Sequence, residues 1–391
     1  MSKPSVLVVF GTRPEVIKLA PVVHALKASG AFTTRVCVTA QHRQMLDLML
    51  RSFELVPDFD LDLMQRSQDL CAFSARALPK LQSVLRRVRP DYVLVQGDTT
   101  TAFVAALAAF YEKVPVGHVE AGLRSFDREN PYPEETNRVL IARLSDLHFT
   151  PTSVAAANLR AEGVRPETIV LTGNTVVDAL RWAGARPHAA LDPALAAGLD
   201  AMKAGDKAVL VTTHRRENHG RPLEALCGAF MALVRKHPEL HLFYPVHMNP
   251  KVRKTVRKIV RHPRAHLLPS LEYFDLLHVM RRSHFVLTDS GGLQEEAPAL
   301  GKPVIILRKV TERPEAVAAG VALLAGTEPS VVMRAASRLM DDGAFHKTMS
   351  RGTGIYGDGL ASRRIVGSLK LRFGLATRRP ADYRPVTGKS K

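Results

Sequence analysis

Three stretches of the chain bring carboxylates, arginines and amides close together. They are Gly97-Asp98-Thr99-Thr100, Glu120-Ala121-Gly122-Leu123-Arg124 and Pro133-Glu134-Glu135-Thr136-Asn137-Arg138. Asp98 and Glu120 each follow an apolar run with strand character, so both are expected at the same edge of a sheet. Glu134 stands just ahead of an expected helix, close to Arg138. A single carboxylate at a strand end often does no more than cap the next helix. Three of them with arginines between them fit proton transfer better. Crowded carboxylates shift one another's pKa, so one can hold a proton while another accepts one. His214 follows a strand in the second half of the chain. A lone histidine is usually structural, but Arg215, Arg216 and Asn218 come next, a poor composition for a buried turn.

A second group of segments is suited to anions. Ser290-Gly291-Gly292 lies between an expected strand and helix, where glycine lets backbone approach an anion and helix amides can hold phosphate oxygens. The same residues also read as a tight turn with a helix cap. Glu295 and Glu296 follow, and a carboxylate there suits a ribose diol; a solvated helix face is the plainer reading. Gly11-Thr12-Arg13-Pro14-Glu15 also joins a strand to a helix. Proline suits the first helical turn, which leaves Arg13 placed to pair bidentately with a diphosphate. Lys18 lies about one helical turn further on. In Thr311-Glu312-Arg313-Pro314-Glu315, Arg313 and Glu315 form another candidate clamp, or simply a capped helix start. Neither GxxxxGK[ST] nor GxGxxG follows the first strand, so a Walker A site and nicotinamide chemistry have little support.

The elements that must position these residues recur as short apolar strand, polar or glycine turn, alanine-rich helix. Strands are expected at 5–10, 35–39, 92–96, 114–119, 147–150 and 169–171, and again at 208–212, 240–245, 285–288 and 304–307. Such alternation argues for parallel sheets with helices on both faces. Nearly every unusual polar cluster follows a strand, where doubly wound sheets bind ligands. Two such domains facing a central cleft would gather the clusters. The boundary is expected near Gly173, giving domains over 1–172 and 173–359. A helix over about 360–376 and a basic flexible tail over 377–391 would follow.

With 391 residues, the chain exceeds the usual ceiling for one core. A hydrophobic fraction of 46% is ordinary for a globular protein. No apolar run approaches the roughly 20 residues needed to span a bilayer. The first run is short and lacks a cleavage site, so a cytoplasmic protein without a membrane role is expected. Cys37, Cys71 and Cys227 fit no metal-ligand or CxxC pattern, which leaves no metal site or disulfide framework. The net charge of +18 gathers partly in the run 251–261, spaced as an amphipathic helix, and in the tail. Neither has the signature of a nucleic-acid module, so nucleic acid is not the expected partner.

With these residues in place the chain resembles the non-hydrolysing UDP-N-acetylglucosamine 2-epimerases. The matching segments are GTRPEVIKLAPV, TAQHRQMLD, VQGDTTT, HVEAGLRS, NPYPEETNR, LTGNTVVDAL, THRRENHG, YPVHMNP, LEYFDLLHV, TDSGGLQEEAPALGKPV, TERPEAVAAG and YGDGLASRRIV. They occur in family order from residue 11 to about 366. The resemblance implies a GT-B-like α/β fold of two Rossmann-like domains, with the last helix crossing back to the first. It implies reversible conversion of UDP-N-acetylglucosamine to UDP-N-acetylmannosamine, through loss of UDP to a 2-acetamidoglucal, with no cofactor and no metal. By position, Asp98, Glu120 and Glu134 match the acid/base set, with His214 beside them. Arg13, Lys18 and Arg138 match first-domain substrate residues. Ser290, Gly291 and Gly292 match diphosphate contacts, Glu296 the ribose contact, and Arg313 the TERPE segment. Gln41, Gln44 and His247 match a site for a second UDP-N-acetylglucosamine that activates bacterial members. A homodimer is implied as well. A hydrolysing relative that releases UDP and ManNAc, and an epimerase of a modified UDP-2-acetamido sugar such as a 2,3-diacetamido uronic acid, are the alternatives. The segment Lys309-Val310 departs from the family, which commonly has an acidic residue there.

Overall fold

The computed structural model describes residues 3–40, 43–65, 69–186, 191–351 and 354–385. Among the described residues the chain divides into two compact units, one over 3–185 and 356–385 and the other over 186–355.

Among the described residues the first unit holds a seven-stranded sheet. Its strands are β1 (Ser5–Phe10), β2 (Thr33–Val38), β3 (Phe59–Asp60), β4 (Tyr92–Gln96), β5 (Val116–Val119), β6 (Leu147–Thr150) and β7 (Ile169–Leu171). They run parallel in the order β3-β2-β1-β4-β5-β6-β7. Among the described residues the second unit holds a six-stranded sheet of β8 (Lys207–Thr212), β9 (Leu240–Pro245), β10 (Ala265–Leu268), β11 (Ser283–Thr288), β12 (Val304–Ile306) and β13 (Ala322–Leu324). These are parallel too, in the order β10-β9-β8-β11-β12-β13. Both orders turn outward in both directions from the first strand of the unit, the doubly wound Rossmann pattern.

The strands read as unbroken apolar runs because helices cover both faces of each sheet. Val6 to Phe10 of β1 are buried, as are Tyr92 to Gln96 of β4. In β5, Gly117 sits where a Cβ would meet Leu94 at 2.7 Å and Tyr92 at 2.9 Å, so a small residue lets this layer close. The basic run forms the helix Pro250–Ile259, with Val252 and Val256 buried and Lys251, Arg253, Lys254, Arg257 and Lys258 exposed. Its charge faces solvent, as the spacing implies. Strands β3, β10 and β13 have no counterpart in the sequence expectation. Each is a short edge or near-edge strand, too brief to show a period.

The unit boundary differs from the expected one at 172/173. The first unit runs on to Ala185, because the helix Thr175–Gly184 packs against the helices Arg13–Ala28 and Ala361–Arg372. Asp178 on that helix accepts hydrogen bonds from the amides of Ala361 and Ser362 at 3.2 and 2.8 Å, capping the last helix. The expected flexible tail also needs correction over 377–385. Arg379 donates to the Ile169 carbonyl at 2.6 Å and the Tyr383 amide to that of Leu171 at 2.7 Å. These bonds occupy the open edge of β7, and Tyr383 is buried. Residues 386–391 lie outside the described residues. Among the described residues no helix is long and apolar enough to cross a membrane.

Candidate active site

In a doubly wound sheet the crevice beyond the carboxyl ends of the two central strands is where connections diverge and ligands bind. In the first unit those strands are β1 and β4. The turn after β1 is Gly11-Thr12, and it can be tight only because residue 11 lacks a side chain. A Cβ there would lie 2.0 Å from the Thr39 hydroxyl and 2.6 Å from that of Thr101. Thr12 and Glu15 form a capping box at the start of the helix Arg13–Ala28. Glu15 Oε2 accepts the amides of Gly11 and Thr12 at 3.0 and 2.8 Å and the Thr12 hydroxyl at 2.8 Å. Its Oε1 accepts the Thr99 hydroxyl at 2.7 Å, joining the turn after β1 to the turn after β4. Burial pushes the Glu15 carboxyl up to about 7, against the pull of these four bonds.

Asp98 sits in that second turn. Its Oδ2 takes the Nε and Nη2 of Arg138 at 2.8 and 2.7 Å, and its backbone carbonyl takes the Asn137 side-chain Nδ2 at 2.8 Å. Arg138 is buried and also donates to Glu135 at 2.6 Å. Glu135 in turn accepts the amides of Ser125 and Phe126, each at 3.0 Å, which fixes the loop ahead of the helix Glu134–Leu144. Glu134 opens that helix, one turn before Arg138, and is half-buried.

Glu120 follows β5 with φ of 65°, the left-handed region that costs a residue with a Cβ on the order of 1 kcal/mol or more. The backbone there turns a buried carboxylate back toward the adjoining strand end. Oε1 accepts Lys18 and, at 3.0 Å, Asn174; Oε2 accepts Gln96. A Cβ on Gly97 would lie 3.4 Å from Glu120 Oε2, so this carboxylate borders the turn that carries Asp98. Beneath them His118 bonds the Gly97 carbonyl at 2.7 Å, and burial lowers its pKa to about 3, leaving it neutral. Asp98 and Glu120 are thus neighbours in different company, one on an arginine and the other on a lysine and two amides. Arg13 is the first residue of its helix and half-buried.

The second unit repeats the plan at β8 and β11. Asp289, directly after β11, is fully buried. Its carboxylate accepts the His214 ring Nδ1 at 2.9 Å, the amides of His214 and Arg215, and the Asn218 side chain at 2.8 Å. Burial alone would raise this carboxyl; the bonds from the His214 ring and the two amides outweigh it and hold it below its ordinary value. His214 is half-exposed, and its ring stacks on that of His247 with centroids 6.2 Å apart. Burial and the neighbouring His214 and His219 push His247 down.

Ser290, Gly291 and Gly292 lead from β11 into the helix Leu293–Ala299. A Cβ on Gly291 would meet the Arg313 guanidinium at 2.8 Å, so glycine admits that arginine to the turn. Arg313 is buried against Glu295 at 2.6 Å and Glu312 at 2.5 Å. Glu312 also holds the buried Arg308 at 2.7 Å, and Arg308 reaches Glu217 at 3.1 Å. Two arginines and three carboxylates therefore run in one chain behind the Ser290 turn. Glu296 is buried on the same helix, its carboxylate 3.7 Å from where a Cβ on Gly292 would stand.

Of the residues picked from sequence, Asp98, Glu120, Lys18 and Arg138 form one cluster with Glu134 on its adjoining helix. His214 and His247 form a second, near the strand ends of the other unit. Gln41 lies outside the described residues, as does the side chain of Gln44. Sequence reasoning passed over Glu15, Gln96, Asn174, Asp289 and Arg308 as site members. Thr12-x-x-Glu15 carries a capping-box signature that could have flagged Glu15. The others carry no local signal, since their partners are distant in the chain. Among the described residues no group of three or more His, Cys, Asp or Glu side chains could hold a metal ion.

The family model described as UDP-N-acetylglucosamine 2-epimerase matches residues 24–370. A UDP-N-acetylglucosamine 2-epimerase of Yersinia pestis is 48% identical over 370 residues, covering 93% of this chain and 98% of that protein. The crystal structure of a UDP-GlcNAc 2-epimerase from Neisseria meningitidis bound to UDP-GlcNAc superposes with a TM-score of 0.87 at 42% identity, over 93% of this chain and 99% of that one. The glycosyltransferase of kitacinnamycin, at 14% identity and a TM-score of 0.66 over 95% of this chain and all of that one, shares the fold alone. Both sheets, the clusters at their central strand ends and these matches along nearly the whole chain lead to one statement: the chain belongs to the UDP-N-acetylglucosamine 2-epimerase family.

Proposed function

We propose that this enzyme interconverts UDP-N-acetylglucosamine and UDP-N-acetylmannosamine reversibly, by eliminating UDP to a 2-acetamidoglucal and adding it back. The observation that carries the reading is the pair of carboxylates at neighbouring strand ends, Asp98 on Arg138 and Glu120 on Lys18, Gln96 and Asn174. A C2 hydrogen of a sugar is not acidic. As the C1–O bond to UDP breaks, oxocarbenium character develops at C1 and makes the C2 proton easier to remove. A carboxylate takes that proton, and UDP leaves with the bonding pair. In the return step UDP attacks C1 and a carboxylic acid delivers a proton to the opposite face of C2. Two faces call for more than one acid/base group, which is the use of Asp98, Glu120 and Glu134 together.

Arg13, Lys18 and Arg138 serve the sugar and its neighbouring acids. Ser290, Gly291, Gly292 and Arg313 take the diphosphate and Glu296 the ribose, so that charge developing on the departing UDP meets fixed donors. In the second unit His214 serves as a proton carrier. This chemistry draws on no cofactor. UDP-N-acetylglucosamine bound by the Neisseria meningitidis relative supports it as the substrate here. A second molecule of it, held by Gln41, Gln44 and His247, acts as activator of a cytoplasmic homodimer in this reading.

NMR of the purified protein with UDP-N-acetylglucosamine in deuterated water tests the proposal. Both epimers should appear, with deuterium at C2 in each. Absence of C2 exchange, with or without extra activator, rejects it. Free UDP and ManNAc as the accumulating products would replace it with hydrolysis, and exchange only on another UDP-2-acetamido sugar would change the substrate.

A further inference from the structure

The geometry points to Asp289 as the positioning residue that fixes the tautomer of His214, leaving Nε2 as the only ring atom able to accept or deliver a proton in catalysis. The role of His214 in turnover rests on the function proposed above; the tautomer itself does not.

Every hydrogen-bond partner of Asp289 among the described residues is a donor. An ionised carboxylate only accepts. Asp289 Oδ1 faces His214 Nδ1 at 2.9 Å and the His214 amide at 3.1 Å. Its Oδ2 faces the amides of His214 and Arg215, each at 3.0 Å, and Asn218 Nδ2 at 2.8 Å. Asn218 is committed by a further bond to the Leu307 carbonyl at 3.1 Å, so its amide must present N–H toward Asp289. With every partner a donor, Nδ1 has to carry hydrogen. In the neutral ring the lone pair then sits on Nε2, and in the charged ring the transferable proton sits there. The carboxylate is fully buried and follows the central strand β11, so the ring is held by the rigid part of the sheet. The half-exposed ring stacks on His247, which limits its rotation further. The backbone amides of His214 and Arg215 bind the same carboxylate as the ring, so loop and ring are set together.

This arrangement makes a definite statement about Asp289→Asn. Oδ2 meets three donors and Oδ1 two, so the single oxygen of asparagine takes the Oδ2 place. Its NH2 group then points at His214 Nδ1 and forces the hydrogen to Nε2. The stem and shape of the side chain are retained while the tautomer is reversed. Reversing the tautomer of a catalytic histidine in this way costs a Ser-His-Asp triad about 10^4 in kcat.

The test uses the full-length protein labelled with 15N-histidine, with His214 assigned by the signal missing from His214→Gln. The expected wild-type ring shows the Nδ1–H pattern of nitrogen shifts in its neutral form, and Asp289→Asn shows Nε2–H. In the deuterium-exchange assay Asp289→Asn lowers kcat by about 100-fold or more while KM stays within about threefold. A wild-type ring in the Nε2–H form overturns the assignment whatever the variant does. So does a variant that keeps both Nδ1–H and full kcat. Should wild-type protein lack epimerase activity but show Nδ1–H, the functional reading fails and the role of Asp289 in holding the ring stands. The wild-type spectrum decides the tautomer even where Asp289→Asn folds poorly.

Discussion

Replacing Glu15 by glutamine should make the protein less sensitive to rising pH, and the size of the change follows from where the carboxyl sits. Glu15 is fully buried and its pKa is raised from the ordinary 4.5 to about 7 by that burial. Below pH 4.5 the group is protonated in folded and unfolded chains alike. Between 4.5 and about 7 the unfolded chain has released the proton while the folded chain still holds it, so each step up in pH favours unfolding. Above about 7 both states are ionised and the effect levels off. One proton over that interval, at ~1.4 kcal/mol per pH unit, amounts to about 3 kcal/mol of stability present in acid and lost by neutral pH. Glutamine imitates the protonated form. Its oxygen can keep the two amides and the Thr12 hydroxyl that Oε2 holds, and its NH2 can donate to Thr99, whose hydroxyl turns to accept.

The assay is urea unfolding followed by the one tryptophan. Trp182 belongs to the same unit as Glu15 and stacks on Phe53 and His24 at 5.0 and 5.6 Å. The stability of wild type minus that of Glu15→Gln should fall by about 3 kcal/mol between pH 4.5 and 7.5. All other titrating groups are common to both proteins and cancel. A difference that stays flat across this range, or that grows with pH, would mean the folded chain carries Glu15 ionised at no cost and that burial does not raise its carboxyl.

In the proposed reaction Asp98→Asn removes an acid/base group while leaving Arg138 an oxygen to bind; kcat should fall by about 10^2–10^4 with UDP binding by calorimetry unchanged. Gly11→Ala forces a methyl against Thr39 and Thr101, whose hydroxyls bond each other at 2.9 Å, and thermal unfolding should show a loss of about 1–3 kcal/mol. His118 and His148 are held neutral by burial, to about 3 and about 4 from 6.5, so their contribution is intact above pH 6.5 and drains away as the medium is acidified toward pH 4. His118→Gln should therefore flatten the acid limb of stability against pH, measured by the same urea midpoints. Deleting residues 377–391 uncovers the edge of β7 and removes buried Tyr383, which should cost about 2–3 kcal/mol in the first unit by Trp182 fluorescence.

The sheets were legible because their strands are buried on both faces and so appear as unbroken apolar runs, such as Ser5–Phe10 and Tyr92–Gln96. The turns after them were legible because buried strand ends rarely carry Asp, Glu or His without a reason. What stayed hidden has one physical character. The edge strands β3, β10 and β13 owe their form to pairing with a neighbour rather than to local pattern. The segment 377–385 looks like a loose basic tail until β7 supplies carbonyls for Arg379 and the Tyr383 amide. Asn174 looks like a helix cap, which it also is, since its side chain accepts the Val176 amide.

The same limit explains why the residues nearest the acids were harder to read than the acids themselves. Asp98 and Glu120 stand out by charge, yet charge alone does not tell a proton carrier from a carboxylate fixed in an ion pair. That distinction depends on the partners: Arg138 from forty residues later, Lys18 from the helix after β1, Gln96 from the next strand, Asn174 from beyond β7. The doubly wound order is what makes these distant residues neighbours, because β1, β4 and β5 lie side by side and end at one edge. In the second unit β8 and β11 do the same for His214 and Asp289, separated by 75 residues in the chain. An acid at a strand end is therefore a question posed by sequence, and the order of strands decides which basic or amide group answers it.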